Sequence, residues 1–161
     1  AEKPHPFYEL YVCNDVKYHK YRITGAKDTK PEITISDATV EKLEAESKYI
    51  IIEGIGGIGK SMFLTHLFLS SAQNSTYSSV VPLFLSLKDY KDTTDNVVDF
   101  IWKSICEYDS KISKKDIIEA LQNKELILLL DGFDEIQTSV RESFQSDLEA
   151  FLSHTMEIQL S

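Results

Sequence analysis

Residues 50–69 read IIIEGIGGIGKSMFLTHLFL. Four of the chain's six glycines fall between Gly54 and Gly59, and a lone lysine, Lys60, follows them beside Ser61. The isoleucines ahead of the glycines form a β-branched run that suits a strand at about 49–53, buried on both faces. Behind the glycines, KSMFLTHLFLSS is apolar almost all round and reads as a buried helix. Residues 54–61 match G-x-x-x-x-G-K-[ST] in full, between a strand and a helix as that pattern requires. Glycines let backbone N–H groups turn inward around a phosphate with no β-carbons in the way. A helix N-terminus adds further unpaired N–H groups and a favourable dipole. Lys60 then supplies a point charge to the β- and γ-phosphates, and the Ser61 hydroxyl a ligand for Mg²⁺. The candidate nucleotide contacts are Gly54, Ile55, Gly56, Gly57, Ile58, Gly59, Lys60, Ser61 and Met62.

A second stretch, LILLLDGFDE, runs from Leu126 to Glu135. An aliphatic strand ending in an acid puts a carboxylate at the carboxyl edge of a sheet, where open α/β folds bind ligands. Asp131 is that acid and a candidate Mg²⁺ partner. A strand followed by Asp-Gly is also an ordinary turn signal. Its place about 70 residues after the glycine loop favours the metal reading. Asp134 and Glu135 follow at once. One of them, with Glu135 slightly favoured, is expected to orient or deprotonate a water attacking the γ-phosphate. The plainer alternative is an acid pair entering a helix and favouring its dipole.

The rest of the chain divides at residue 35. Residues 1–35 read as a β-rich extension or lead-in, with FYELYVC and VKYHKYRI as strands flanking Asn14-Asp15 and TGAKDTKP as a loop. Residues 36–161 read as one α/β core. SDATVEKLEAES is a short helix capped by Ser36 or Asp37. SSVVPLFLSL is a strand with Pro82 near its start, where a missing donor is tolerated. DNVVDFIWKSICEY and SKKDIIEALQN are amphipathic helices, the second with Ser113 and Asp116 at capping-box spacing. TSVRESFQSDLEAFLSH is another, with Ser139 and Glu142 as its box and Val140, Phe144, Leu148, Phe151 and Leu152 on one face. Buried strands alternating with helices imply right-handed βαβ units, a mainly parallel sheet and a three-layer α/β fold.

Composition narrows the function classes. The net charge is −9 and the only arginines are Arg22 and Arg141, so the basic stripe of a nucleic-acid binder is missing and neither nucleic acid nor an anionic membrane is expected as a partner. An acidic protein still binds phosphate where the backbone supplies the field. No run of eighteen apolar residues offers a membrane span, and AEKPHPFYEL has no apolar signal-peptide core, so a cytoplasmic location is expected. Cys13 and Cys106 stand 93 positions apart and form no metal or redox pair; free thiols are expected. The four histidines lie at no ligand spacing, and His66, within the apolar helix, reads as a packed residue.

GIGGIGKS, VPLFLSLKDY and above all LILLLDGFDEI together resemble the NACHT-type nucleotide-binding domain of the STAND class of P-loop ATPases. That family has a small residue straight after the Mg²⁺-binding acid and two acids two positions on, which Gly132 and Asp134–Glu135 match. The AAA+ pattern instead puts its catalytic acid where Gly132 stands. The resemblance spans roughly residues 37–153. It implies Lys60 and Ser61 as phosphate and Mg²⁺ contacts, Asp131 as the metal acid, and Asp134 or Glu135 as the hydrolytic acid. It further implies ATP and ADP as cofactors with Mg²⁺, slow hydrolysis as a switch, self-oligomerisation of the full-length protein, and a role in innate immunity or antiphage defence. Adenine contacts are expected ahead of the glycine loop.

The family's sensor 1 strand should follow the helix at 139–153 but is not recognised, so the fold is expected to be incomplete at its C-terminal side. The class orders its sheet 5-1-4-3-2, with the sensor strand between the first strand and the acid strand. MEIQLS, residues 156–161, alternates polar and apolar and suits a half-exposed element. The 161 residues alone are therefore expected to fold poorly and to lack ATPase activity. A GTPase is disfavoured because NKEL, at 123–126, lacks the Asp of a guanine reader and no D-x-x-G switch follows the third strand. A small-molecule kinase lacks an acceptor-site signature. The remaining alternative is a nucleotide-dependent scaffold with negligible turnover.

Overall fold

Two aliphatic hexapeptides, β3 (Val81–Ser86) and β4 (Leu126–Asp131), pair in parallel, in register from Val81 opposite Leu126 to Ser86 opposite Asp131. In this computed structural model residues 6–12, 15–18, 33–47, 49–73, 80–90 and 96–157 are described. They fall into two units, Ala1–Ser71 and Ala72–Ser161. The ladder belongs to the second. Val81 N–H donates to the Glu125 carbonyl at 2.7 Å. Successive strand N–H groups point to opposite sides, so the donor that Pro82 lacks faces away from β4 and costs the ladder nothing.

Three helices complete this unit: α4 (Val97–Cys106), α5 (Lys114–Gln122) and α6 (Thr138–Glu157). Asn96 starts α4 by accepting a hydrogen bond from Asp99 N–H at 2.9 Å, and Val97, Phe100 and Ile101 form its buried stripe. The expected capping box of α5 is present: Ser113 accepts from the Asp116 amide, and Asp116 accepts from the Ser113 amide and hydroxyl. Those bonds from Ser113 hold the exposed Asp116 carboxyl below the usual aspartate range. Trp102 Nε1 donates to the Ile112 carbonyl at 2.9 Å, and Lys114 reaches Asp99 at 2.6 Å, tying α4 to the start of α5. α6 begins at Thr138, one residue earlier than expected, so Ser139 lies inside the helix and no Ser139–Glu142 box forms. Instead the Gln137 carbonyl accepts from the amides of Val140 and Arg141. Met156 and Glu157 extend α6; residues 158–161 lie outside the described residues. The core of the unit gathers Leu85, Tyr90, Ile101, Ile117, Ile136, Val140 and Phe144 among its buried side chains.

The first unit holds α1 (Phe7–Leu10), β1 (Val16–Tyr18), β2 (Ile33–Ile35), α2 (Val40–Glu44) and most of α3 (Lys60–Gln73). The expected strand in FYELYVC is instead the one-turn helix α1. Helical spacing sets Tyr8 and Tyr11 on one side, where Tyr11 stacks on the His66 ring at 5.0 Å and the Tyr8 hydroxyl lies 3.3 Å from His66 Nδ1. Alternation along a strand would send neighbouring rings apart. Part of the second expected strand survives as β1, antiparallel to β2; Cys13, Asn14 and the expected loop at 24–31 lie outside the described residues. Thr39, rather than Ser36 or Asp37, caps α2, because Asp37 sits at φ 48° in the turn before it. Along α3 only Phe63, Leu67 and Ser71 are buried, a single i, i+4, i+8 stripe, which corrects the expectation of burial all round.

Residues 49–53 also depart from expectation, forming no ladder with any described strand, and Ile51 is 87% exposed. An apolar β-branched run becomes a strand only beside a partner for its N–H and C=O groups, and the expected sheet order puts the sensor strand there. β3 lies directly against β4, the other adjacency in that order.

Phe144 is fully buried, with its ring 4.8 Å from that of Tyr90. In the intact protein Phe144→Ala should lower unfolding free energy by about 3–5 kcal/mol in urea titrations; a loss below about 1 kcal/mol would place the core elsewhere.

Candidate functional site

The glycine loop ends where α3 begins. Phe63 N–H donates to the Gly59 carbonyl at 2.9 Å, the first helical bond, and Ile58 N–H closes a turn onto Ile55 at 3.3 Å. Gly57 and Gly59 take φ of 78° and 95°, the left-handed region that side chains disfavour. A β-carbon on Gly54 would stand 2.9 Å from Ile58 Cγ2, so that position admits no side chain without movement. The amides of Gly56, Gly57, Gly59, Lys60, Ser61 and Met62 have no hydrogen-bond acceptor among the described residues. Six N–H groups are thus free within seven positions, three of them the unpaired donors of the first turn of α3. Lys60 folds back over this loop, donating from Nζ to the Gly54 carbonyl at 2.8 Å and to Ile55 at 3.4 Å. The Ser61 side chain is exposed, while its carbonyl accepts from Thr65 Oγ1 at 2.8 Å.

The acid turn is built by the end of β4. Gly132 takes φ 80°, which turns the chain out of the sheet into a short 3-10 turn, Phe133–Glu135. Glu135 N–H donates to the Gly132 carbonyl at 2.9 Å and Ile136 N–H to Phe133 at 3.4 Å. The Glu135 side chain folds against Gly132, since a β-carbon there would meet Glu135 Cδ at 3.4 Å. Asp131 is half-buried at the last ladder position, and Asp134 and Glu135 are exposed. None of the three carboxylates has a hydrogen-bond or ion-pair partner among the described residues.

The structure therefore brings Gly54–Met62 together in the first unit, and Asp131, Asp134 and Glu135 together in the second. Cys106 is a free thiol whose Sγ lies 3.6 Å from the Ile112 carbonyl, and His66 is half-buried among aromatic rings. No group of three or more His, Cys, Asp or Glu capable of holding a metal occurs among the described residues. No described helix is long and apolar enough to cross a membrane. Sequence reasoning passed over Arg141, whose Nη2 donates to the carbonyls of Asp134 at 2.8 Å and Ile136 at 3.0 Å. The available signal was weak: an arginine six positions after Glu135 in an arginine-poor chain.

The family model described as NACHT domain matches residues 48–159, well over half of the chain. No curated protein and no solved structure matches.

Gly132 carries both the left-handed turn and the close approach of Glu135. Gly132→Ala should cost about 1–2 kcal/mol of stability, read from chemical unfolding of the intact protein. Wild-type stability in that variant would contradict the turn geometry.

Proposed function

We propose that this chain, which belongs to the NACHT domain family of P-loop NTPases, is the nucleotide-binding part of an intact protein that binds ATP or ADP with Mg²⁺ and hydrolyses ATP slowly as a conformational switch. The observation that carries this reading is the set of free amides at 56, 57 and 59–62, closed by Lys60. Such donors favour the anion over water because they are already oriented and lie at a helix N-terminus. Lys60 exchanges its carbonyl contacts for the β- and γ-phosphates, a stronger partner for an ammonium than a neutral carbonyl.

Mg²⁺ would be held by the Ser61 hydroxyl and the Asp131 carboxylate, with waters and phosphate oxygens completing its shell. A single carboxylate suits Mg²⁺, which is usually bound by one or two carboxylates plus substrate phosphates. When bound, the ion neutralises charge that develops on the phosphates. Asp134 or Glu135, with Glu135 favoured, orients the attacking water; both carboxylates are uncommitted among the described residues. The proposal extends, on the resemblance alone, to assembly of the ATP-bound form into oligomers and to a role in innate immunity or antiphage defence. Tight binding without turnover would instead favour the scaffold alternative.

Lys60→Ala should weaken nucleotide binding in the intact protein at least tenfold, about 1.4 kcal/mol. Unchanged affinity by calorimetry would overturn the loop assignment. Glu135→Gln should keep nucleotide bound while slowing its hydrolysis, because binding uses the loop and turnover needs the placed water. Normal turnover in that variant, with turnover lost in Asp134→Asn, would move the role to Asp134.

A further inference from the structure

The acid turn holds itself weakly. Of its two internal bonds one spans 2.9 Å and the other 3.4 Å, and both use carbonyls at its start, Gly132 and Phe133. The carbonyls of Asp134 and Ile136 are taken by a single nitrogen, Arg141 Nη2, at 2.8 and 3.0 Å. The guanidinium carbon also stands 5.9 Å from the centre of the Phe133 ring. Two backbone carbonyls and a ring of the turn are thus gathered onto one cation.

Arg141 stands on the first turn of a helix that packs on the core of its unit. It lies on α6 between Val140, 4% exposed, and the fully buried Phe144. It forms no ion pair with a carboxylate among the described residues, so the usual role of a surface arginine is not the one it fills. Its Nε is buried with no hydrogen-bond partner among those residues, while Nη2 is directed at the turn. The Asp134 contact is to the backbone, which leaves the Asp134 carboxylate uncommitted.

We infer that Arg141 is a positioning residue for hydrolysis: its guanidinium clamps the 133–136 backbone to α6 and so fixes the direction in which the acids at 134 and 135 project. This rests on the ATPase reading above. Both hydrolytic candidates sit on the clamped segment, and a displacement of about 1 Å in such a group is enough to lower turnover greatly. Arg141 acts in this reading through the backbone that Nη2 holds.

The test uses the intact protein and compares wild type with Arg141→Ala, Arg141→Lys and, as a control for lost stability, Val140→Ala. Arg141→Ala should lower kcat roughly tenfold or more with nucleotide Kd unchanged. Arg141→Lys, which keeps a charged donor, should restore part of kcat. Val140→Ala should lose stability yet keep kcat. Hydrogen exchange gives a readout without turnover: the amides of Glu135 and Ile136 should exchange faster in Arg141→Ala than in wild type. The inference is overturned by wild-type kcat in Arg141→Ala, by an equal loss in Val140→Ala, or by unchanged exchange at those amides. A wild-type protein that binds nucleotide without turnover sinks the ATPase reading, and the exchange rates alone then decide whether the clamp exists.

Discussion

Parallel strands cannot be joined by a tight turn, and that constraint organises the second unit. The chain must leave β3 at Ser86, pass through α4 and α5, and re-enter as β4 at Leu126 in a register that sets Asp131 opposite Ser86. A slip of one residue would exchange the faces of β4, turning buried Leu129 outward and moving the terminal carboxylate. The register is held from the crossover side. Buried Ile101 and Ile117 place the two helices in the core, and the Ser113–Asp116 box fixes where α5 begins.

The end of the ladder decides where the acids stand. Asp131 is the last paired residue, and Gly132, at φ 80°, lets the chain leave the sheet at once. The short turn beyond it carries Asp134 and Glu135, then Ile136 returns to the core with 2% of its surface exposed. From there α6 runs back over the core on Val140 and Phe144. One buried residue on either side of the turn, Leu129 and Ile136, therefore brackets an exposed acid pair. This is how an otherwise apolar framework can present carboxylates without burying their charge.

Local rules were legible wherever the cause was local. Ser113 with Asp116, the aliphatic runs at 81–86 and 126–131, and the stripe of Val140 and Phe144 could each be read within a few residues of sequence. So could the glycine loop, because its pattern encodes backbone geometry directly. The errors have distant causes. α1 is a helix because its rings meet His66, 58 positions away, and no local pattern carries that contact. Residues 49–53 have strand composition, but a ladder requires a neighbour, which composition does not report. Thr39 replaces Ser36 as a cap because of the left-handed turn at Asp37. Arg141 escaped because its partners are backbone carbonyls, which leave no trace in side-chain identity.

The central claim, carried by the proposed function, is that the glycine loop is a phosphate-binding loop for Mg²⁺–nucleotide. Hydrogen exchange of the intact protein with and without Mg²⁺–ATP tests it most directly. A phosphate-binding loop predicts slower exchange on adding nucleotide at the free amides of residues 56, 57 and 59–62. Unchanged exchange at those amides while nucleotide is bound would contradict it.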